Sequence, residues 1–454
     1  MKKIKWFILV ISIIASFFII NDSSLTLYNR LLLALIPFFY GICFLKLLPK
    51  DMVMGAGLCM MLIVTFLRYV VYPLLFSYDR VNVNLMKYYD SSIALTLFEM
   101  IFIFILLNRY YDFRKWKMFN AELKMDKINP FVPIILLIYT IGVYFFIPMV
   151  FANKHFILNA EEINIGNDIV ERSIPGFISM PVSWGNVLIV LFVFSVFYHR
   201  YIKYHSKIYF YLSIMAMMYP CLFYTGHSRL SLLMPLVGSM FMLVKVYRDK
   251  SKKVIKLIGL YGVLAILVLS WFKFNTDSVN SAEFEMSSNA SSINAYFGGL
   301  KNMMIGLRAY DSFGYSFEVF INDIFRNAMG ISSFFVDNIN NSVYLFNNSA
   351  YSDYSFMSED QICPTIIEGA LCFGMLFCFI PTLLMVKAIS WLDKQWYKTS
   401  SLEFAYLFAT IATLEGWCIP GNLMHLSTSI FNILIPVSLL IIINRKLSVK
   451  RQNA

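Results

Sequence analysis

Apolar runs of roughly 17–25 residues recur from one end of this chain to the other, and nothing constrains its fold more. A run of that length, coiled as an α-helix, matches the hydrocarbon thickness of a bilayer. In lipid every backbone N–H and C=O must find a partner within the protein, so only helices and closed barrels can span. The period-two alternation of barrel strands is absent, and the chain reads as an all-α polytopic membrane protein. Composition agrees: 59% of residues are hydrophobic and 14% charged, against about 25% charged in a soluble domain.

The runs predict about twelve transmembrane helices, near 6–20, 31–48, 53–76, 91–107, 131–150, 184–198, 209–225, 229–246, 257–272, 364–390, 402–420 and 427–443. The first begins Met1-Lys2-Lys3-Ile4-Lys5-Trp6, like the n-region of a signal peptide. No small-x-small cleavage site follows, and an uncleaved first helix is expected. Three regions result: helices 1–9 within 1–272, with an external segment at 151–183; a large extracytoplasmic loop at 273–363; and helices 10–12 with a basic tail at 364–454.

Lys and Arg set the orientation, because cytoplasmic loops retain them. With both termini cytoplasmic, 27 of the 38 basic residues fall on the inner side, and only 7 of the 27 acidic ones. The net charge of +11 is therefore a topology signal and gives no ground for a nucleic-acid partner. Seven cysteines, mostly inside predicted helices, have neither disulfide-framework nor Cys-x-x-Cys spacing and read as small apolar core residues.

The 273–363 segment is too long for a structureless loop in a compact protein. Within it, "GLKNMMIGLRAYDSFGYSFEVFINDIF" carries apolar residues at helical spacing, which predicts one or two short amphipathic helices across the outer mouth of the bundle. Its many Asn, Ser and Tyr residues are equipment for sugars, since amides meet hydroxyls and aromatic faces cover C–H faces; they are also ordinary surface hydration. Soluble-enzyme signatures are missing. There is no G-x-x-x-x-G-K-[ST], no H-E-x-x-H, no G-x-S-x-G elbow and no Asp-x-Asp pair. Chemistry without a metal, nucleotide or other cofactor is expected.

A charge deep in a span costs at least about 2.5–3.5 kcal/mol and is a functional candidate by default. Under this topology Arg68, Arg229, Glu368, Glu415 and His425 fall at one outward level, and only Glu99 lies near the midplane. Arg229 opens the eighth helix, in "TGHSRLSLLMPLV". A guanidinium in such a place suits phosphate, to which it offers a planar fork of donors; the alternatives are snorkelling to the interface or pairing with Glu368. Arg308 and Arg326 in the large loop are candidates for a second clamp, or are solvated surface charges. Glu368, in "CPTIIEGALCFG", is placed for general-base work or for an ion pair, and His425 could serve as base instead.

At these residues the chain resembles the Wzy-type polymerases of O-antigen and capsule repeat units. "TGHSRLSLLMPLV" is similar to their Gly-x-Arg-x-x-Leu segment, and "PTIIEGALCFGMLFCFIP" to their later helix with Glu and then Phe-Gly. The large loop between them is in the family's place. This chain has Ser228 between His227 and Arg229, and Cys372 where an Asn is frequent. The resemblance implies a metal-independent GT-C-like glycosyltransferase of the bacterial cytoplasmic membrane. Its substrates are undecaprenyl-pyrophosphate-linked oligosaccharides, and flippase and chain-length regulator proteins are its implied partners beside the bilayer. It assigns pyrophosphate binding to Arg229 with Arg308 or Arg326, and catalysis to Glu368 or His425. An O-antigen-ligase-like transferase, with another acceptor, and a lipid-linked oligosaccharide flippase remain alternatives.

Overall fold

The computed structural model describes residues 2–49, 54–79, 81–111, 122–151, 154–156, 175–225, 233–276, 282–328, 330–332, 340–352 and 361–452. The chain is a helical polytopic membrane protein. Among the described residues seven helices are long and apolar enough to span: α1 (Lys3–Ile20), α2 (Leu27–Lys46), α3 (Ala56–Tyr78), α4 (Val83–Tyr110), α6 (Gly176–Tyr204), α15 (Met375–Lys398) and α17 (Leu423–Ser448). Between them lie the shorter apolar helices α5 (Phe131–Phe146) and α7 (Lys207–Leu222), then α8 (Leu233–Val246), α9 (Ser251–Thr276) and α16 (Leu402–Trp417). The tenth expected span, 364–390, is not one helix. It divides into α14 (Thr365–Phe373) and α15 around Gly374, whose φ of 78° is open to glycine and strained for other residues.

Among the described residues of 273–363 there are four helices, α10 (Ala282–Phe297), α11 (Leu300–Phe313), α12 (Phe317–Phe325) and α13 (Ser342–Ala350), and the stretch at 299–325 expected to hold one or two contains α11 and α12. Helix α11 does not lie over a surface. Eight of its residues, from Leu300 to Ala309, are buried, and Gly306 presses so close to Ile367 that a Cβ there would come within 2.5 Å of that side chain.

Two helices change pitch for one reason. In α3 a π turn covers Leu67–Val71, just before Pro73; in α17 another covers Ile430–Leu434, just before Pro436. Proline has no N–H and crowds the carbonyl four residues back, and a widened turn relieves the clash. The carbonyl that Pro436 leaves without its usual donor is that of Asn432, and the Trp184 indole N–H donates to it at 2.6 Å.

The chain forms two compact units. The first holds residues 1–119, 279–391 and 415–428; its interior includes a ring cluster of Tyr40, Phe66, Tyr69 and Phe104, with centroids 5.4–6.2 Å from Tyr40. The second holds residues 120–278, 392–414 and 429–454. Its core joins Val132 and Leu136 of α5, Leu188 of α6, Leu407 and Ile411 of α16 and Val437 of α17. A three-residue antiparallel pair, β1 (Lys154–Phe156) with β2 (Phe223–Thr225), belongs to this unit.

Candidate functional site

Three buried polar residues of the first unit, Thr365, Glu368 and Asp323, meet at α14. Pro364 starts this helix with backbone angles already extended (φ −60°, ψ 140°), and Gly374 ends it. Every residue from Thr365 to Cys372 is buried. At nine residues α14 is too short to cross a bilayer; a helix broken at such a place is tolerated where protein encloses it. The Thr365 hydroxyl donates to the carbonyls of Ile419 (2.7 Å) and Gly421, which locks the 418–421 turn onto the start of α14.

That turn delivers the N-terminus of α17 to Glu368. The Leu423 N–H is 3.0 Å from each carboxylate oxygen, so Glu368 caps α17 from another helix while it sits in the first turn of its own. Helix N-termini present unsatisfied N–H groups and a partial positive charge, which favours an anion on both counts. Asp323 is held in the same manner: it ends α12 and accepts from the Ser342 N–H, the first of α13, at 3.1 Å. The two carboxyls are fully buried and hydrogen-bonded to each other, which requires a proton on one of them. Burial raises the pKa of Asp323; the hydrogen bonds from Ser342 and the nearby Arg326 work against that rise.

The candidate residues divide by what they touch. Glu368 is enclosed. His425, one turn into α17 from Asn422, is exposed. The Asn422 amide is buried, and neither its oxygen nor its nitrogen has a partner within the described protein. Arg308 and Arg326 both reach α13: Arg308 donates to the Ser349 hydroxyl (3.1 Å) and carbonyl at its end, and Arg326 to the Asn341 amide oxygen (2.9 Å) at its start. A cation at a helix C-terminus is a stabilising cap, so Arg308 is engaged structurally. Arg229 and its neighbours at 226–232 lie outside the described residues.

Arg68 and Glu99, read from the sequence as separate intramembrane charges, form a pair at 2.7 Å with side chains 3% and 0% exposed. The Tyr69 hydroxyl adds a hydrogen bond to Glu99 at 3.0 Å, and Met303 lies beside the guanidinium. This pair is self-neutralised. The asparagines of the 273–363 segment are also partly spent on internal bonds. Asn294 donates to Asn302 (2.6 Å), Asn302 to the Ile362 carbonyl (2.9 Å), and Asn347 to Gln361 (3.1 Å). Asp323 was missed by sequence reasoning. Its signal is phase: it stands four residues after Val319, on the buried face of α12. Among the described residues no three His, Cys, Asp or Glu side chains come together as a metal site.

Fold and site together define a helical membrane protein with a proton-sharing carboxyl pair at the junction of helix ends. Comparison with protein-family models, with curated proteins and with solved structures finds no match.

Proposed function

We propose that this chain polymerises oligosaccharide repeat units carried on undecaprenyl pyrophosphate, at the outer face of the bacterial cytoplasmic membrane. In this reading the chain crosses about twelve times, with both termini in the cytosol and residues 273–363 outside. The observation that carries it is the junction of α14 with α17, which falls on the segment resembling the Glu-to-Phe-Gly helix of Wzy-type polymerases. There the enclosed Glu368, paired with Asp323, fixes the start of α17, and an exposed imidazole stands two residues on, in the same turn.

The reaction asks little of the protein beyond orientation, charge stabilisation and removal of one proton. The diphosphate is already a good leaving group. Geometry favours His425 as the base that takes the acceptor's hydroxyl proton, since it is open and Glu368 is not; Glu368 and Asp323 then position it. Arg229 is the proposed diphosphate ligand. Arg326, which donates to the Asn341 amide oxygen at the start of α13, is the second candidate, while Arg308 caps the end of that helix.

The test is purified protein in detergent with lipid-linked repeats, its products separated by size. The wild type should give a ladder; His425→Ala and Arg229→Ala should leave single repeats, and Arg229→Lys should fail where a bidentate grip is required. A wild-type protein that lengthens nothing sinks the reading. Chains made in cells but never transferred to their final acceptor would favour the ligase-like activity.

A further inference from the structure

The second unit carries a groove that the proposed glycan chemistry does not use. It has a volume of about 760 Å³ and lies between the end of α6 and the segment around residues 125–128. One face of α6 supplies its wall, through Phe192, Val196, His199 and Lys203, positions that recur at helical spacing. Along that face the chemistry changes from apolar to cationic within three turns. The opposite wall repeats the pattern over a shorter distance, with buried Ile128 next to exposed Lys127. His199 fastens the walls together: its ring nitrogens lie 2.7 Å from the Ser195 carbonyl and 2.9 Å from that of Met125.

Three cations stand at the rim: Lys127, Arg200 and Lys203, all exposed. Lys203 lies over the Tyr204 ring at 5.2 Å and Arg200 over Tyr209 at 5.9 Å. The ring faces hold these two charged heads at the level of the rim. Among the described residues no carboxylate pairs with any of the three. Glu122 faces Arg248 instead, at 3.7 Å, and Asp126 pairs with none of them. A groove apolar at depth and positive at its mouth, at the end of a membrane-spanning helix, is complementary to one kind of molecule: an anionic amphiphile with its chains alongside the helix and its phosphate at the rim. Tyrosines at the same level fit the interfacial zone where such head groups lie.

We propose that this groove is a binding site for an anionic glycerophospholipid of the bilayer, held by Lys127, Arg200 and Lys203. The site goes beyond the polymerase reading and stands or falls separately from it.

The test titrates phosphatidylglycerol into delipidated, full-length protein in detergent, with bound lipid counted by native mass spectrometry. A basic residue at a membrane surface is worth about fivefold in affinity, so the triple variant Lys127→Gln, Arg200→Gln, Lys203→Gln should bind on the order of a hundredfold more weakly. The control triple Lys207→Gln, Lys252→Gln, Lys256→Gln removes equal charge from exposed positions of the same unit outside the groove, and should bind as the wild type does. Should the first triple be poorly folded, Arg200→Gln alone should still show about a fivefold loss. Equal losses in both triples, no loss in the groove variants, or equal binding of phosphatidylcholine would overturn the site. So would competition by free glycerol phosphate at the same concentration as the lipid, because the apolar wall would then contribute nothing.

Discussion

Breaking the Arg68–Glu99 pair by halves and then as a whole separates a structural charge from a working one. The Arg68 and Glu99 side chains are 3% and 0% exposed and meet at 2.7 Å, with a second contact at 3.4 Å. Arg68→Met leaves a carboxylate enclosed without its countercharge, and Glu99→Gln leaves a guanidinium in the same state. Each should cost about 3–5 kcal/mol. The double variant leaves no unpaired charge. Its Met fills volume beside Met303, and its Gln oxygen still accepts from the Tyr69 hydroxyl, so the loss should stay within about 1–2 kcal/mol. The pair should therefore show a coupling of at least about 3 kcal/mol. Reversible unfolding in mixed dodecylmaltoside and SDS micelles, followed by tryptophan fluorescence, measures all four proteins. If the double variant loses the sum of the two single losses, the charges do not stabilise each other and the reasoning is wrong. A double variant that is stable yet makes no polymer would move the pair from the scaffold into the machinery.

Three other outcomes follow from particular contacts. Trp184→Phe keeps the ring but takes the donor from the Asn432 carbonyl, and should cost about 1 kcal/mol in the same unfolding assay. Gly369→Ala places a Cβ 1.9 Å from the Cys378 carbonyl oxygen, which is backbone and cannot swing aside, so folded yield on size exclusion should collapse; Gly142→Ala, with nothing within 4 Å, should not reduce it. Stability should also depend on pH through Asp323. Its pKa in the folded protein is raised by burial, so the folded state keeps a proton that the unfolded chain has released. The stabilisation is complete below the ordinary carboxylate range and is lost as pH climbs through the raised value. Asp323→Asn should flatten that slope in melting curves taken across pH, and an unchanged slope would assign it to another group.

Much of the fold was legible because the bilayer is a simple solvent. Helix α1 could be read from Trp6 to Ile20 without reference to any neighbour, since length and apolarity alone qualify it. Hydropathy has no way to register a break such as the one at Gly374. The run from Thr365 to Lys387 is continuous in apolar character, and what divides it is backbone geometry at one residue. Helix α11 was misplaced for the converse reason. Its Asn302, Lys301 and Arg308 lower the apparent hydrophobicity, yet Asn302 is buried because Asn294 and the Ile362 carbonyl satisfy it.

The candidate site was half legible. Glu368 and His425 stood out as polar residues in or beside apolar runs, and since lipid rejects an unpaired charge such groups must be partnered or functional. Which of those fates each residue met was decided by tertiary structure alone. Arg68 and Glu99 are 31 positions apart along the chain and become one neutral unit; Glu368 meets the Leu423 N–H across 55; Asp323, indistinct among its neighbours, becomes the partner of Glu368. Hydropathy is a property of single residues and their near neighbours, whereas the electrostatic state of a buried group depends on what the fold sets within a few ångströms of it, and that is fixed only when distant helices pack.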